Sequence, residues 1–260
     1  MKNEIVLRPS YWGMVSGGKD SLLMVKVILS NPSIYQLDGI VHYELEIDFP
    51  FIKNVIDYME NECKQREIKF VRIKPTHSWF ELYNKNGYPS RKGRWCNSQY
   101  KIECERQLKK FLKEQGAYLI KYIGLCADET KRIKSDKNII YPLVDLGINE
   151  DGVLKWAKTQ PIFNDYYKYN KRCGCMCCPM ASIDNLVYTK KYYPEQYELL
   201  MNLALEHEKR MAIKYGREKF SVWQSNPKYD TEYIMKRVDE EINGKYDFNK
   251  KGTNELWKII

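Results

Sequence analysis

A short polar segment between two apolar stretches has the residue types of an anion-binding turn. Its residues are Ser16, Gly17, Gly18, Lys19, Asp20 and Ser21. Glycines allow backbone N–H groups to approach an anion closely, and a helix that begins after the turn directs further N–H groups to the same point. The serine hydroxyls can donate hydrogen bonds, and the lysine can neutralise charge. We therefore predict a phosphate-binding turn, in which Asp20 either holds Mg²⁺ or caps the helix.

The same turn partly fits another phosphate-binding pattern, the Walker A loop, which would run from Gly13 to Lys19. That pattern needs Ser or Thr after the lysine to hold Mg²⁺, whereas this sequence has Asp20 there. Gly13 also lies inside an apolar run that favours a strand. Both departures favour a different class of phosphate turn. A tight turn that binds nothing is the third interpretation.

Four of the eight cysteines lie close together, between residues 173 and 178. Such clustering indicates a metal site rather than disulfides in a chain without a secretion signal. Cys175 and Cys178 have the spacing of a two-ligand turn. Four thiolates suit either a [4Fe–4S] cluster or Zn²⁺, and thiols that bind no metal are the remaining alternative. The cysteines predicted to be core residues without a chemical role are Cys63, Cys104 and Cys126.

Composition limits the classes of protein that the chain can belong to. Its 260 residues are 43% hydrophobic, which is enough for a sizeable core. No run approaches the ~18 apolar residues of a membrane span, and the start lacks the pattern of a targeting signal, so we expect a cytoplasmic protein. The net charge of +9 favours a polyanionic partner such as a nucleotide, tRNA or DNA, although it is also typical of a Lys-rich surface without one.

Apolar patterns of strand and helix type alternate around these motifs and predict the elements that position them. The strand candidates are 11–15, 37–43, 70–73, 117–125 and 139–141, and the helix candidates between them are 20–29, 50–66 and 97–115, with a loop at 75–94. Further helices are predicted at 150–158, 194–215 and 230–243. The alternation predicts an α/β fold with an open, mostly parallel twisted sheet and helices on both faces, which binds ligands at the carboxyl ends of its strands. We predict a nucleotide-binding domain at 1–183 and a mostly helical appendage at 184–260.

The turn matches the Ser-Gly-Gly-x-Asp-Ser signature of the PP-loop superfamily. Over residues 10–183 the chain resembles the phosphoadenosine phosphosulfate (PAPS) reductase-like family, whose fold is adenine nucleotide alpha hydrolase-like. The matching segments, in order, are Asp48-Phe49-Pro50, Arg94-Trp95-Cys96, Gly124 with Glu129 and Arg132, Tyr141-Pro142-Leu143, and Gly174-Cys175-x-x-Cys178-Pro179. Two departures are Glu44-Leu45-Glu46, where the family has Asp-Thr-Gly, and Cys126, where it has an arginine.

This resemblance implies a site that binds ATP or a related adenine nucleotide with Mg²⁺. Beyond the turn itself, the implied nucleotide-binding residues are Arg94, Glu129 and Arg132, where each guanidinium is a planar fork suited to phosphate or sulfate. The implied metal ligands are Cys96, Cys173, Cys175 and Cys178, with Cys177 as the alternative for the fourth place. Relatives that transfer sulfur to nucleic acid carry iron–sulfur clusters, so the resemblance favours [4Fe–4S] over Zn²⁺.

Three functions fit these residues. The first is an ATP-dependent adenylyltransferase, or ATP pyrophosphatase, with Lys19 and Asp20 as catalytic residues, which supports sulfur transfer to tRNA or DNA from a donor such as a cysteine desulfurase. The second is a sulfonucleotide (PAPS or APS) reductase, which needs a late nucleophilic cysteine; no cysteine follows Cys178 in this sequence. The third is a non-catalytic nucleotide-binding subunit with a structural zinc.

Overall fold

The computed structural model describes residues 7–244, apart from the side chain of Tyr169. Its first feature is a sheet of five parallel strands in the order β3-β2-β1-β4-β5. The strands are β1 Arg8–Val15, β2 Gly39–Tyr43, β3 Phe70–Ile73, β4 Ala117–Ile123 and β5 Ile139–Ile140. The predicted α/β fold with a parallel sheet is therefore confirmed. The outer parts of the two predicted domains, 1–6 and 245–260, lie outside the described residues.

Strand β1 is central, and the strand order changes direction beside it. β2 pairs with one edge of β1, with Val15 opposite His42, and β4 pairs with the other edge, with Met14 opposite Ile123. Because all strands are parallel, their carboxyl ends meet at one edge of the sheet. The turn that follows Val15 therefore lies at the switch point, where open sheets of this kind bind ligands.

Ten α-helices surround or follow these strands in the described part of the chain. They are α1 Lys19–Ser30, α2 Pro50–Gln65, α3 Trp79–Asn86, α4 Ile102–Glu114, α5 Pro142–Asp145, α6 Glu150–Ala157, α7 Tyr166–Tyr169, α8 Ile183–Tyr192, α9 Pro194–Lys214 and α10 Thr231–Ile242. A π-helical turn, Cys96–Lys101, precedes α4, and a short 3₁₀ turn, Thr130–Arg132, follows β4. The amphipathic helices α2, α4, α9 and α10 all lie close to their predicted positions.

The prediction of a continuous loop at 75–94 is wrong, because α3 lies inside it. Its start has a reciprocal cap: the Glu81 amide donates to Ser78 Oγ (3.0 Å) and the Ser78 amide donates to Glu81 Oε2 (2.8 Å). This Ser-x-x-Glu capping box was a readable signal in the sequence. The Gly, Pro and aromatic residues around it favoured a loop and concealed it.

The chain forms two compact units. The first contains the residues up to Asn86 together with Trp95–Cys175, and the second contains Gly87–Arg94 together with the chain from Met176 onward. The second unit thus begins eight residues before the predicted start at 184 and also takes part of the predicted loop. Its described helices are α8, α9 and α10.

A buried carboxylate organises the second unit. Glu208, on α9, is 4% exposed, and its two oxygens accept hydrogen bonds from the backbone amides of Val222 (2.8 Å) and Thr231 (2.7 Å). Burial raises the pKa of Glu208 to about 7, although the two amide donors act in the opposite direction. Glu208 therefore connects α9 to the segment that leads into α10.

We expect Glu208→Ala to lower the free energy of unfolding by about 2–4 kcal/mol at acidic pH, because two buried N–H groups lose their acceptor. The pKa of Glu208 in the folded protein lies above its ordinary value. The protonated carboxyl therefore contributes its full stability to the fold below about pH 4.5, and this contribution is lost as pH rises through about 7. The difference between wild type and variant should therefore shrink between about pH 5 and 8. Urea unfolding of wild type and variant at about pH 5 and at about pH 8 measures this difference. Glu206→Ala, on the exposed side of α9, is the control; a pH-independent difference would contradict the prediction.

Candidate functional site

The glycine turn joins β1 to α1, as the sequence predicts, and Gly17 is the residue that its backbone requires. Gly17 has φ +76°, in the left-handed region, and a Cβ placed on it would lie 2.6 Å from Ile52 Cγ2. Any other residue would therefore meet both backbone strain and the α2 side chain. Gly13 lies within β1, in agreement with the argument against a Walker A loop.

The two serines of the turn hydrogen-bond to the turn itself. Ser21 Oγ donates to the Gly18 carbonyl (2.8 Å) and accepts from the Ser16 amide (3.2 Å), and the two hydroxyl oxygens lie 3.3 Å apart. A hydroxyl has one hydrogen, which Ser21 uses inside the turn. Ser21 thus fixes the shape of the turn, while Ser16 is exposed at its surface.

Lys19 is buried and charged at the centre of the site. Its ammonium donates to Asp20 Oδ1 (2.7 Å) and also to Glu150 Oε1, and the side chain is 1% exposed. Burial lowers the pKa of Lys19, but the Asp20 and Glu150 carboxylates more than offset this and leave the pKa raised. The positive charge predicted to lie beside the turn is therefore present, and it is paired with two carboxylates.

Asp20 does not cap α1, because the N-cap residue is Gly18 and Asp20 lies in the first turn. Its carboxylate instead belongs to a group with Glu150, at the start of α6, and Cys126. The donor atoms of these three side chains lie within 4.8 Å of one another, and they form the group of potential metal ligands found among residues 7–244. The two carboxylates fit a hard divalent cation such as Mg²⁺, which prefers oxygen ligands.

Cys126, which was predicted to be a core residue without a chemical role, has its thiol beside these two carboxylates. The residue is fully buried, but its Sγ lies 3.4 Å from Asp20 Oδ1 and 3.7 Å from Glu150 Oε2. Burial raises the pKa of the Cys126 thiol, and the two carboxylates raise it further, so the group is a protonated donor. Cys126 thus places a neutral group where the resemblance to the PAPS reductase-like family implies an arginine.

Tyr167 and Cys173 lie on the other side of the turn. The Tyr167 hydroxyl accepts a hydrogen bond from the Lys19 amide (3.0 Å), one of the first-turn N–H groups that an anion would use. A Cβ on Gly18 would lie 3.6 Å from that hydroxyl and 3.9 Å from Cys173 Cβ. No local pattern distinguishes Tyr167 from the other tyrosines, of which the chain has 21 in all.

Gly124, the residue directly after β4, lies against the backbone of the first turn of α1. A Cβ on Gly124 would lie 2.6 Å from the Asp20 carbonyl oxygen and 2.7 Å from the Ser21 amide nitrogen. This close approach sets the position of the first turn of α1, and with it that of Asp20. It gives a physical reason for the glycine that opens the matching segment after β4.

A cavity of about 330 Å³ opens at the carboxyl ends of β2 and β3, beside the turn. It is lined by residues that include His42, Glu44, Asp48, Ile52, Arg72 and Tyr100. Ile52 is shared, because it also contacts Gly17. Burial raises the pKa of Asp48 to about 7, opposed by the charge of Lys101 and a hydrogen bond with Cys175. The volume suits a small organic ligand, and Glu44, Leu45 and Glu46 form part of its wall.

Two of the remaining predicted nucleotide contacts form an ion-paired group in the first unit. Glu129 is buried; its carboxylate accepts from the Cys126 amide (3.2 Å) and pairs with Arg132 (2.5 Å) and Arg172. Arg132 is 58% exposed. Glu129 therefore fixes the segment after β4 locally and connects it to Arg172, and its contact with a nucleotide stays a prediction.

The predicted metal ligands are distributed over both units. Cys96 lies in the π-helical turn and Cys175 beside Asp48, both in the first unit. Cys178 belongs to the second unit, where burial raises the pKa of its thiol and the charge of Arg94 lowers it. In the described part of the chain, the group of metal-ligand donors contains none of the four cysteines predicted to bind a cluster. Their ligand role stays a prediction.

Cys177, the alternative fourth ligand, is buried in the second unit. Its carbonyl accepts a hydrogen bond from the Tyr88 hydroxyl (2.7 Å), and its φ is +46°. Both features fix the backbone between Cys175 and Cys178.

No family model matches the chain. An uncharacterized protein of Methanocaldococcus jannaschii is 30% identical over 199 residues, which cover 70% of this chain and 44% of that protein. The chain therefore spans less than half the length of this relative. Among solved structures, the chain is similar to an FMN adenylyltransferase of Candida glabrata in complex with ATP (15% identity, TM-score 0.41, 65% of this chain and 52% of that one). It is also similar to the U34-tRNA thiolase NcsA of Methanococcus maripaludis with its [4Fe-4S] cluster (17% identity, TM-score 0.40, 76% of this chain and 72% of that one).

The fold and the turn agree with the resemblance seen in the sequence. A parallel α/β sheet with a Ser-Gly-Gly-x-Asp-Ser turn at the end of its central strand is what the resemblance to the PP-loop superfamily implies, and the chain has both. The finer resemblance to the PAPS reductase-like family rests on the segment matches alone. No helix among residues 7–244 has the length and apolar character of a membrane span.

Proposed function

We propose that the chain binds ATP, or a related adenine nucleotide, at the glycine turn and transfers its adenylyl group to an acceptor. The observation that carries this proposal is the charged group at the start of α1, where Lys19, Asp20 and Glu150 are brought together from two helices. A buried cation beside a turn of this type is suited to polyphosphate, and the neighbouring cavity has room for the nucleoside. Stability alone does not explain such a group, because buried ion pairs contribute little net stability.

In the proposed reaction an acceptor oxygen forms a bond to the α-phosphorus, the bond from that phosphorus to the bridging oxygen breaks, and pyrophosphate leaves. Lys19 stabilises the charge that develops on the phosphate oxygens. Asp20 and Glu150 would hold Mg²⁺, which supplies charge neutralisation on the phosphates when bound. The fixed turn orients the phosphates for in-line attack.

The acceptor that we favour is a nucleic acid, tRNA or DNA, which a sulfur donor such as a cysteine desulfurase would then thiolate with release of AMP. The support is the resemblance to the PAPS reductase-like family together with the net charge of +9. A sulfonucleotide reductase and a non-catalytic binding subunit remain the competing functions.

Release of pyrophosphate from ATP, measured with and without tRNA or DNA, tests the proposal. Turnover that depends on Mg²⁺ supports adenylyl transfer. Release of sulfite from PAPS or APS would replace it with the reductase, and tight nucleotide binding without any turnover would replace it with the binding subunit.

The metal content is a separate prediction. We expect anaerobically purified protein to be brown, with iron and acid-labile sulfide bound through Cys96, Cys173, Cys175 and Cys178. Serine at Cys175 or Cys178 should remove the visible absorption, because thiolates are the preferred ligands of iron–sulfur clusters. Cys63→Ala, in the buried core of α2, is the control that should retain it. A colourless protein with one bound zinc per chain would contradict the prediction.

A further inference from the structure

Helix α9 has one buried face and one solvent-exposed face with a basic end. The buried residues include Tyr197, Leu200, Met201, Ala204 and His207. On the opposite side, Lys209, Arg210 and Lys214 are exposed and span about 140° around the helix axis. The apolar Ile213 lies between them and is 82% exposed.

The chain that follows α9 adds an exposed aromatic ring to this basic face. Gly216 has φ +60°, and the Arg217 amide donates to the Ala212 carbonyl (2.9 Å), which folds the chain back over the helix end. The Arg217 guanidinium then lies 5.9 Å, and the Lys214 ammonium 5.7 Å, from the centre of the Tyr215 ring. Tyr215 is 53% exposed, and Phe220 stacks near it at a centroid distance of 6.4 Å.

A second segment of the same unit carries further positive charge. The loop Gly87–Arg94 packs on α9 so closely that a Cβ on Gly87 would lie 2.2 Å from the His207 ring. The Arg91 amide donates to the Val222 carbonyl (2.9 Å), and Lys92 is exposed. Basic side chains thus extend beyond α9, whereas the exposed acidic residues of the segment 206–218 are two, Glu206 and Glu218.

We propose that Lys209, Arg210, Lys214, Tyr215 and Arg217, here called the α9 basic surface, bind single-stranded nucleic acid. The positively charged side chains are suited to the repeated negative charges of a phosphate backbone. An exposed ring flanked by cations is suited to stacking with an unpaired base, whose face a duplex would hide. Ile213 offers additional apolar contact to a base or sugar. The proposal rests on the proposed function for its biological purpose, since it supplies the docking site for the modified substrate.

Binding of fluorescein-labelled single-stranded oligonucleotides about 20 residues long, one RNA and one DNA, tests the surface by fluorescence anisotropy. We expect Lys209→Gln/Lys214→Gln to weaken binding about tenfold at about 0.1 M salt and to reduce the slope of log affinity against log salt by about 1.4. Tyr215→Ala should weaken binding about tenfold, whereas Tyr215→Phe should bind like wild type because the ring is retained. Binding of either oligonucleotide with this pattern supports the surface.

The matched control is Lys110→Gln/Lys113→Gln on α4, which removes the same charge from an exposed helix face of the first unit. Equal loss in this control, or a Tyr215→Ala variant that binds like wild type, would overturn the proposal in favour of general electrostatic attraction. Competition by polyglutamate as effective as by RNA would also overturn it and indicate an acidic protein partner. Pyrophosphate release from ATP at saturating tRNA or DNA, measured on the same variants, should be close to that of wild type; its absence in wild type as well would count against the proposed function only.

Discussion

Replacing Asp20 by alanine is expected to reduce pyrophosphate release from ATP at least a hundredfold, on the order expected for loss of one group that acts on the transition state. The carboxylate has two partners in the site, the Lys19 ammonium and the Cys126 thiol. Without it, the lysine is held by Glu150 alone, and the oxygen donors proposed for Mg²⁺ are reduced to one side chain. Orientation of the lysine and neutralisation of the phosphates are therefore lost together.

The fold should survive this change, because Glu150 continues to pair with the buried Lys19. We expect the free energy of unfolding to fall by about 1–2 kcal/mol, less than for a buried charge left without any partner. Asp151→Ala removes an exposed carboxylate in the first turn of α6, next to Glu150, and serves as the control. Wild-type pyrophosphate release in Asp20→Ala, or equal losses in both variants, would remove Asp20 from the proposed chemistry.

The positions of the main elements could be predicted from the sequence because their patterns are local. Apolar runs gave the parallel strands, amphipathic periodicity gave α2, α4, α9 and α10, and the glycine turn followed from a six-residue signature at the end of β1. Each of these depends on residues that are neighbours in the sequence.

The composition of the site was harder to predict, because its residues come from distant segments. Glu150 and Cys126 join Asp20 across separations of more than 100 residues, and Tyr167 reaches the Lys19 amide from a helix of four residues. A buried cysteine in an apolar stretch has the same local pattern whether its neighbours are methyl groups or carboxylates. Only the topology, which brings the ends of β1 and β4 together, separates the two cases.

The division into two units was also hard to predict, because it too depends on contacts between distant segments. The loop Gly87–Arg94 belongs with α9 because Gly87 fits against His207, a contact between residues 120 positions apart. No feature of the loop's own sequence specifies that partner. The matching segment Arg94-Trp95-Cys96 therefore has its arginine in the second unit and its other two residues in the first. Local sequence patterns do not define this division, and the contact of Arg94 with a nucleotide stays a prediction.

Gly124→Ala is expected to disturb the nucleotide site from outside the glycine turn, through a single added methyl group. The new Cβ would lie 2.6 Å from the Asp20 carbonyl oxygen and 2.7 Å from both the Asp20 carbonyl carbon and the Ser21 amide nitrogen. These are backbone atoms in the first turn of α1, so no side chain can rotate away to make room. Either β4 or the first turn of α1 must shift, and we expect destabilisation of about 2–4 kcal/mol.

ATP binding should fall at least tenfold in the same variant, because the amides of the turn and the carboxylate of Asp20 move with the first turn of α1, and small displacements of positioned groups are costly. Gly13→Ala is the matched control: its Cβ would meet the side chains of Ile40, Val25 and Met24 at 3.4–3.8 Å, which is ordinary packing. Urea unfolding and calorimetric titration with ATP on both variants separate the two effects. Wild-type stability and affinity in Gly124→Ala would show that the contact between β4 and α1 does not position the turn, whereas loss of ATP binding in Gly13→Ala would return the Walker A interpretation, in which Gly13 belongs to the phosphate loop.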